Sequence, residues 1–214
     1  VQNEPYNLSF FYSLMEFIHG LANLRRQRKE CATTIGNFDG IHLGHQHVLE
    51  QLMKITKQSN LISTVLIFEP QPMEYFNLEA APSRLTRLRE KLQQFSRYNI
   101  DRVVCLKFNK KLANFSASEF VDNILLDGLA ARRIIVGDDF RFAKNREGDY
   151  QYLSKISKQN NFEVFMTDPY IVDGERVSST LIRDALARGE ITTANRYLGR
   201  PYTISGRVTH GDKR

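Results

Sequence analysis

The chain has 214 residues, which suits one ordinary domain with an attachment or two small domains. Its hydrophobic content of 42% and charged content of 25% are typical of a folded globular protein and exclude a disordered one. The net charge of +6 fits an anionic ligand and an ordinary basic protein equally well. No long Lys/Arg run favours nucleic acid, and no apolar run approaches the roughly 18 residues of a membrane-spanning helix.

Apolar segments of strand length alternate along the chain with segments of helical periodicity. The predicted strands are 31–38, 61–69, 101–108, 131–137 and 162–167. The predicted helices are 43–56, 83–98, 116–129, 148–160 and 178–190. Strands that alternate with single helices predict an α/β fold with a mostly parallel sheet, and their continuous hydrophobicity indicates that helices cover both faces. Such folds bind ligands outside the carboxyl ends of the strands.

The cysteines and the first residues bear on the cellular compartment. Cys31 and Cys105 lie in apolar segments without CxxC spacing, which favours buried free thiols in a reducing compartment. Residues 1–14 lack the basic region and the cleavage site of a signal peptide, so we interpret them as an N-terminal extension. We therefore expect a cytoplasmic protein.

The first strand-to-helix junction reads GNFDGIHLGH and contains His42 and His45. Its three glycines permit backbone conformations that side chains would obstruct, and the helix N-terminus that follows attracts anions. Two imidazoles there can donate hydrogen bonds to phosphate oxygens and stabilise a leaving pyrophosphate. A glycine-rich turn with surface histidines explains the pattern equally well, and a zinc pair lacks an evident third ligand. His47 faces elsewhere on the predicted helix, and we interpret it as exposed or structural.

A second polar cluster opens the last predicted helix with the sequence SSTLIR, residues 178–183. Ser179 and Thr180 offer hydroxyl groups at a helix N-terminus, and Arg183 is suited to a bidentate phosphate contact. An ordinary Ser/Thr cap followed by a salt-bridged surface arginine is the alternative. Two such clusters at the same edge of one parallel sheet favour a shared phosphate site.

These motifs resemble a known family. Residues 42–45 (HLGH) match the HxGH signature of the nucleotidylyltransferase superfamily, and residues 178–183 match its SSTxxR helix start. More narrowly, the stretches FEPQPMEYF (68–76), VGDDFRFAKNREGD (136–149) and LGRPYTISGRVTHGDKR (198–214) resemble segments of the bacterial bifunctional riboflavin kinase/FMN adenylyltransferases, also called FAD synthetases. Ala143 departs from the pattern of these loops, because the family usually has glycine at that position.

The resemblance implies a Rossmann-like nucleotidylyltransferase domain that converts FMN and ATP into FAD and pyrophosphate with Mg²⁺. It implies catalytic roles for His42, His45 and Arg183. The residues that it places at ATP are Gly36, Asn37, Phe38, Asp39, Gly40, His42, His45, Asp139, Arg176, Ser179, Thr180 and Arg183. The residues that it places at FMN are Phe68, Pro70, Pro72, Phe140, Arg141 and Phe142. The metal ligands are undetermined: substrate phosphates are expected to hold most of the Mg²⁺ coordination, with Asp139 a candidate ligand.

The resemblance also divides the chain. It implies an adenylyltransferase domain over residues 15–189, a linker helix over 190–200, and over 201–214 the truncated first strand of the β-barrel riboflavin kinase module. The PTAN signature of that module is absent, so we expect adenylyl transfer without riboflavin kinase activity.

Two alternatives stay open. A different nucleotidylyltransferase would share the HxGH and SSTxxR motifs, although the FxPxP and DDFRF loops disfavour it. A non-catalytic nucleotide- or flavin-binding module would not require both histidines or Arg183. The expected partners are the small molecules ATP and FMN, not nucleic acid or a membrane, and the oligomeric state is undetermined.

Overall fold

The computed structural model describes residues 15–206, and its centre is a parallel sheet of six strands. The strands are β1 (Glu16–His19), β2 (Cys31–Ile35), β3 (Ile62–Glu69), β4 (Arg102–Lys107), β5 (Ala131–Gly137) and β6 (Glu163–Thr167). Their order in the sheet is β1-β4-β3-β2-β5-β6, and every neighbouring pair is parallel. A short antiparallel hairpin follows, formed by β7 (Ile171–Val172) and β8 (Glu175–Arg176).

Helices connect the consecutive strands of the sheet, and two more follow the hairpin. They are α1 (Leu21–Arg26), α2 (Leu43–Ser59), α3 (Pro72–Phe76), α4 (Leu88–Arg97), α5 (Lys110–Ala113), α6 (Ala117–Phe120), α7 (Tyr150–Ser157), α8 (Ser179–Ala187) and α9 (Ile191–Leu198). Helix α6 continues as a π-helix over Val121–Leu126, and two 3-10 turns lie at Lys144–Arg146 and Lys158–Asn160.

The hydrophobic core lies on both faces of the sheet. Alternate residues of one strand point to opposite faces, so Leu66 and Phe68 of β3 join one core cluster while Val65 and Ile67 join the other. A third, smaller cluster packs α8 against α9 and includes Leu85. Helices therefore cover the sheet on both sides, as the continuous hydrophobicity of the strands predicts.

The predicted α/β fold with a parallel sheet is confirmed, and all five predicted strands are present. Strand β1 was not predicted; it is a four-residue edge strand that begins one residue after Met15. Two elements are shorter than predicted. The first predicted strand ends at Ile35 instead of residue 38, and the helix predicted from residue 83 begins at Leu88. In both cases an irregular loop replaces the end of the predicted element.

The predicted β strand at the end of the chain is not found in its described part. Residues 201–206 have no regular secondary structure, and the rest of the prediction lies outside the described residues, as does the predicted N-terminal extension. Helix α9 occupies the range predicted for a linker helix, while the division into domains stays a prediction. Cys31 and Cys105 are free and buried, as predicted. Within residues 15–206, no helix is both long and apolar enough to cross a membrane.

Candidate active site

A cavity of about 450 Å³ opens at the carboxyl ends of the strands, where the N-termini of α2 and α8 meet. Strand order reverses between β2 and β5, so their connections leave in opposite directions and create a crevice. The lining includes residues 36–39 and His42 of the β2–α2 loop (residues 36–42), and residues 176–180 with Arg183 from the start of α8. The two polar clusters predicted from the sequence therefore face one another.

The β2–α2 loop has an unusual backbone. Phe38 (φ 49°), Gly40 (φ 85°) and Ile41 (φ 41°) all have left-handed backbone conformations, which residues other than glycine rarely adopt. Gly44 follows in the first turn of α2, where a Cβ atom would lie 3.2 Å from the His42 ring and 3.4 Å from the Val177 carbonyl oxygen. Glycine at position 44 thus lets the ring of His42 and the start of α8 approach α2 closely.

His42 and His45 stand together at the N-terminus of α2. His42 is the N-cap, and its Nδ1 accepts a hydrogen bond of 3.3 Å from the backbone N–H of His45. The two rings are stacked with centroids 3.7 Å apart. Because Nδ1 of His42 is an acceptor, its Nε2 carries the proton of the neutral ring and is available as a donor. The Nδ1 of His45 is buried and has no hydrogen-bond partner within residues 15–206.

Burial keeps both rings neutral. It lowers the pKa of His42 to about 4, with Asp39 opposing that shift and Arg183 and Arg176 reinforcing it. Burial also lowers the pKa of His45 well below its usual range, and His42 and the buried ammonium of Lys91 act in the same direction. A neutral imidazole still has one N–H group that can donate to an anion, and the helix N-terminus attracts anions to the same place.

Acidification from pH 7 to pH 5 is expected to destabilise the protein through these rings. The pKa of His42 rises from about 4 in the folded state to about 6.5 in the unfolded chain. Below pH 6.5 the unfolded chain therefore binds a proton that the folded state does not, and the free energy of unfolding falls by about 2 kcal/mol by pH 5. Urea unfolding at the two pH values measures this loss, which H42N should reduce. Equal pH dependence of the two proteins would contradict the assignment.

Asp39 connects the two motifs through an ion pair with Arg183, in which the carboxylate is buried and the arginine partly buried. The Arg183 Nη2 donates to Asp39 Oδ2 at 2.5 Å, and Arg183 Nε donates to the Ser83 carbonyl at 2.6 Å. The Asp39 carboxylate also accepts the backbone N–H groups of Leu85 and Thr86. Arg183 is therefore partly buried against Asp39, in contrast to the surface arginine considered as an alternative. The bonds from Asp39 to Leu85 and Thr86 explain why α4 does not begin at residue 83.

Hydrogen bonds and an ion pair also hold the segment at the start of α8. The Ser179 hydroxyl donates to the Asp39 carbonyl at 2.8 Å, while Ser178 caps the helix by accepting from the Leu181 N–H. Arg176 forms a two-point ion pair with Asp138 at 2.6 and 3.0 Å, and it lies 3.2 Å from Asp139. Sequence reasoning missed Asp138, although it stands directly before Asp139 at the end of β5.

A second cavity of about 430 Å³ adjoins the first and is aromatic. The two cavities share part of their lining, including Gly36, Asn37, Phe140 and Arg141. Five further phenylalanines line the second cavity, namely Phe68, Phe76, Phe108, Phe120 and Phe142. The cleft thus joins a polar half to an apolar half.

The structure brings most of the predicted site residues to this cleft. All residues predicted at ATP line the polar half except Gly40, and all those predicted at FMN line the aromatic half except Pro70.

His47 is outside the lining, and its ring lies 5.8 Å from that of Tyr170. Within residues 15–206, no group of three or more His, Cys, Asp or Glu side chains is arranged to hold a metal ion. The individual roles of these residues stay predictions.

The comparisons with known proteins agree with this geometry. Residues 24–181 match the family model described as FAD synthetase. The chain is 46% identical over 199 residues to the bifunctional riboflavin kinase/FMN adenylyltransferase of Pseudomonas fluorescens and 42% identical over 200 residues to that of Escherichia coli K12. Each alignment covers 93% of this chain and 64% of the relative, so the chain spans less than two thirds of these relatives' length.

A solved structure shares the fold. The crystal structure of a protein described as a macrolide-efflux protein, from Streptococcus pneumoniae, superposes with a TM-score of 0.78 at 23% identity. The match covers 92% of this chain and 66% of that one, and at this identity it supports the fold alone.

The family model spans most of the chain, and the two curated relatives exceed 40% identity. On these grounds the chain belongs to the FAD synthetase family.

Proposed function

We propose that this chain is an FMN adenylyltransferase, which joins ATP and FMN into FAD and pyrophosphate. The observation that carries the proposal is the two-part cleft. Its polar half holds two stacked histidines between two helix N-termini, and its aromatic half begins at the shared residues Asn37 and Phe140. A triphosphate fits the first environment and an isoalloxazine ring the second, with the reacting phosphates between them.

The chemistry requires no covalent enzyme intermediate. An oxygen of the FMN phosphate forms a bond to the α-phosphorus of ATP, the bond from that phosphorus to the bridging oxygen breaks, and pyrophosphate leaves with the electron pair. The work of the protein is positioning and charge stabilisation. The Nε2–H of His42 would donate to a phosphate oxygen, and the unpartnered Nδ1 of His45 is a buried polar group that a bound ligand would satisfy.

Mg²⁺ fits this site as a partner of the substrate phosphates. Mg²⁺ in such sites takes one or two protein carboxylates and completes its shell with phosphates and water. Asp139 suits that role because its carboxylate is the more exposed of the two at the polar cavity and lies 3.2 Å from Arg176, whereas Asp138 pairs with Arg176 more closely, at 2.6 Å. The ion would supply charge neutralisation on the triphosphate.

A cytoplasmic location for this ATP-consuming reaction, consistent with the free Cys31 and Cys105, is part of the proposal.

The direct test is an assay of FAD and pyrophosphate formation from ATP and FMN with Mg²⁺. We expect turnover that depends on FMN and gives one FAD for each pyrophosphate. Pyrophosphate release with another phosphorylated acceptor instead of FMN would indicate a different nucleotidylyltransferase. Binding of ATP or FMN without turnover would indicate a non-catalytic module. Either result would overturn the proposal.

A further inference from the structure

We propose that Arg200 and Gln46 position the β2–α2 loop for adenylyl transfer, so that the segment after α9 supports the active site from outside the cavity. This inference rests on the proposed function. The two residues belong to different parts of the chain, and each donates to backbone carbonyls at this junction. Neither lines the cavity, so both act through the loop and are positioning residues.

Arg200 holds the loop from the C-terminal side. Its Nη2 donates to the Gly40 carbonyl oxygen at 2.6 Å, across 160 residues of sequence. The N–H of Gly40 is held in turn by the Thr86 hydroxyl at 2.9 Å. Both backbone groups of Gly40 are thus hydrogen-bonded, one of them by a residue that follows α9.

Gln46 ties the same loop to the end of α9. Its Nε2 donates to the Ile41 carbonyl at 2.9 Å and to the Leu198 carbonyl at 2.8 Å. Close packing accompanies these bonds: at Gly199, which has φ 67°, a Cβ atom would lie 2.6 Å from the Leu43 side chain. Residues 198–200 therefore fit directly against the start of α2.

The backbone of the loop explains why such a clamp is needed. Phe38 and Ile41 have left-handed conformations, which persist in residues other than glycine only when the surrounding structure holds them. The loop ends at His42, whose ring stacks on that of His45. When the Gly40 and Ile41 carbonyls are released, the loop can relax and move both imidazoles away from the reacting phosphates. A small displacement of this kind lowers the rate of the chemical step more than it weakens substrate binding.

The test combines kinetics with hydrogen exchange on the full chain. For R200A we expect kcat for FAD formation to fall about tenfold with little change in the KM for FMN. We also expect faster amide exchange across residues 37–45 in the ligand-free protein. R200K, which keeps a donor at this position, should recover part of both properties. The matched control is R188A, because Arg188 is an exposed arginine that pairs with Glu190 away from the cleft.

Three outcomes decide the matter. Slower turnover together with faster exchange in R200A, and neither in R188A, supports the clamp. Unchanged exchange in R200A, or faster exchange with unchanged kcat, overturns it. If R200A does not fold, Q46M provides the same comparison. If the wild-type chain makes no FAD, the proposed function fails, while the exchange measurement still shows whether Arg200 holds the loop.

Discussion

Replacing His45 with alanine is expected to lower kcat for FAD formation by about 10²–10³-fold, the loss typical when one preorganised transition-state donor is removed. His45 stacks on His42 at the N-terminus of α2, and it lines the polar cavity where pyrophosphate would leave. The KM for FMN should change little, because the flavin would occupy the aromatic half of the cleft. Steady-state kinetics with FMN and ATP measures both quantities.

His47 offers a matched control for this variant. It lies two residues further along the same helix and outside the cavity lining, so H47A should keep wild-type kcat. Equal activity losses in H45A and H47A would indicate a general effect on α2 and would contradict a catalytic role for His45. Retained activity in H45A would contradict it directly.

Replacing Arg183 with methionine is expected to lower the free energy of unfolding by about 3 kcal/mol or more, because it leaves a buried carboxylate without its counter-ion. The side chain of Asp39 is 3% exposed and that of Arg183 19% exposed. Urea unfolding at pH 7 measures the loss. The double variant D39N/R183M, which has no unpaired charge, should recover much of the stability. We expect it not to recover turnover, since Arg183 also lines the polar cavity.

Arg188, which directly follows the last residue of the same helix, serves as the control for this prediction. Its ion pair with Glu190 lies at the surface, and such pairs contribute little to stability. R188A should therefore unfold like the wild type. An equally small effect of R183M would show that the pair with Asp39 does not hold the two motifs together. Full activity in the stabilised double variant would restrict Arg183 to a structural role.

The agreement between sequence and structure is closest where the signal is local. Helical periodicity predicts α2 and α8, and the helix predicted from residue 116 begins there with Ser116 as its cap in a capping box with Glu119. Failures occur where a distant partner changes the local preference. Leu85 fits the apolar stripe of α4, yet its N–H binds Asp39 and its side chain packs in the cluster of α8 and α9. Local periodicity carries no information about such a partner.

The parallel α/β fold, the two polar motifs and their position after strands are predictable from the sequence, because strand and helix patterns depend on near neighbours along the chain. How the two motifs combine depends instead on contacts between residues that are far apart in the chain. The pairs Asp39–Arg183, Asp138–Arg176 and Gly40–Arg200 join residues 144, 38 and 160 positions apart. Such partners are selected when the sheet closes and buried polar groups must find one another, and burial then also determines the charge of His42 and His45.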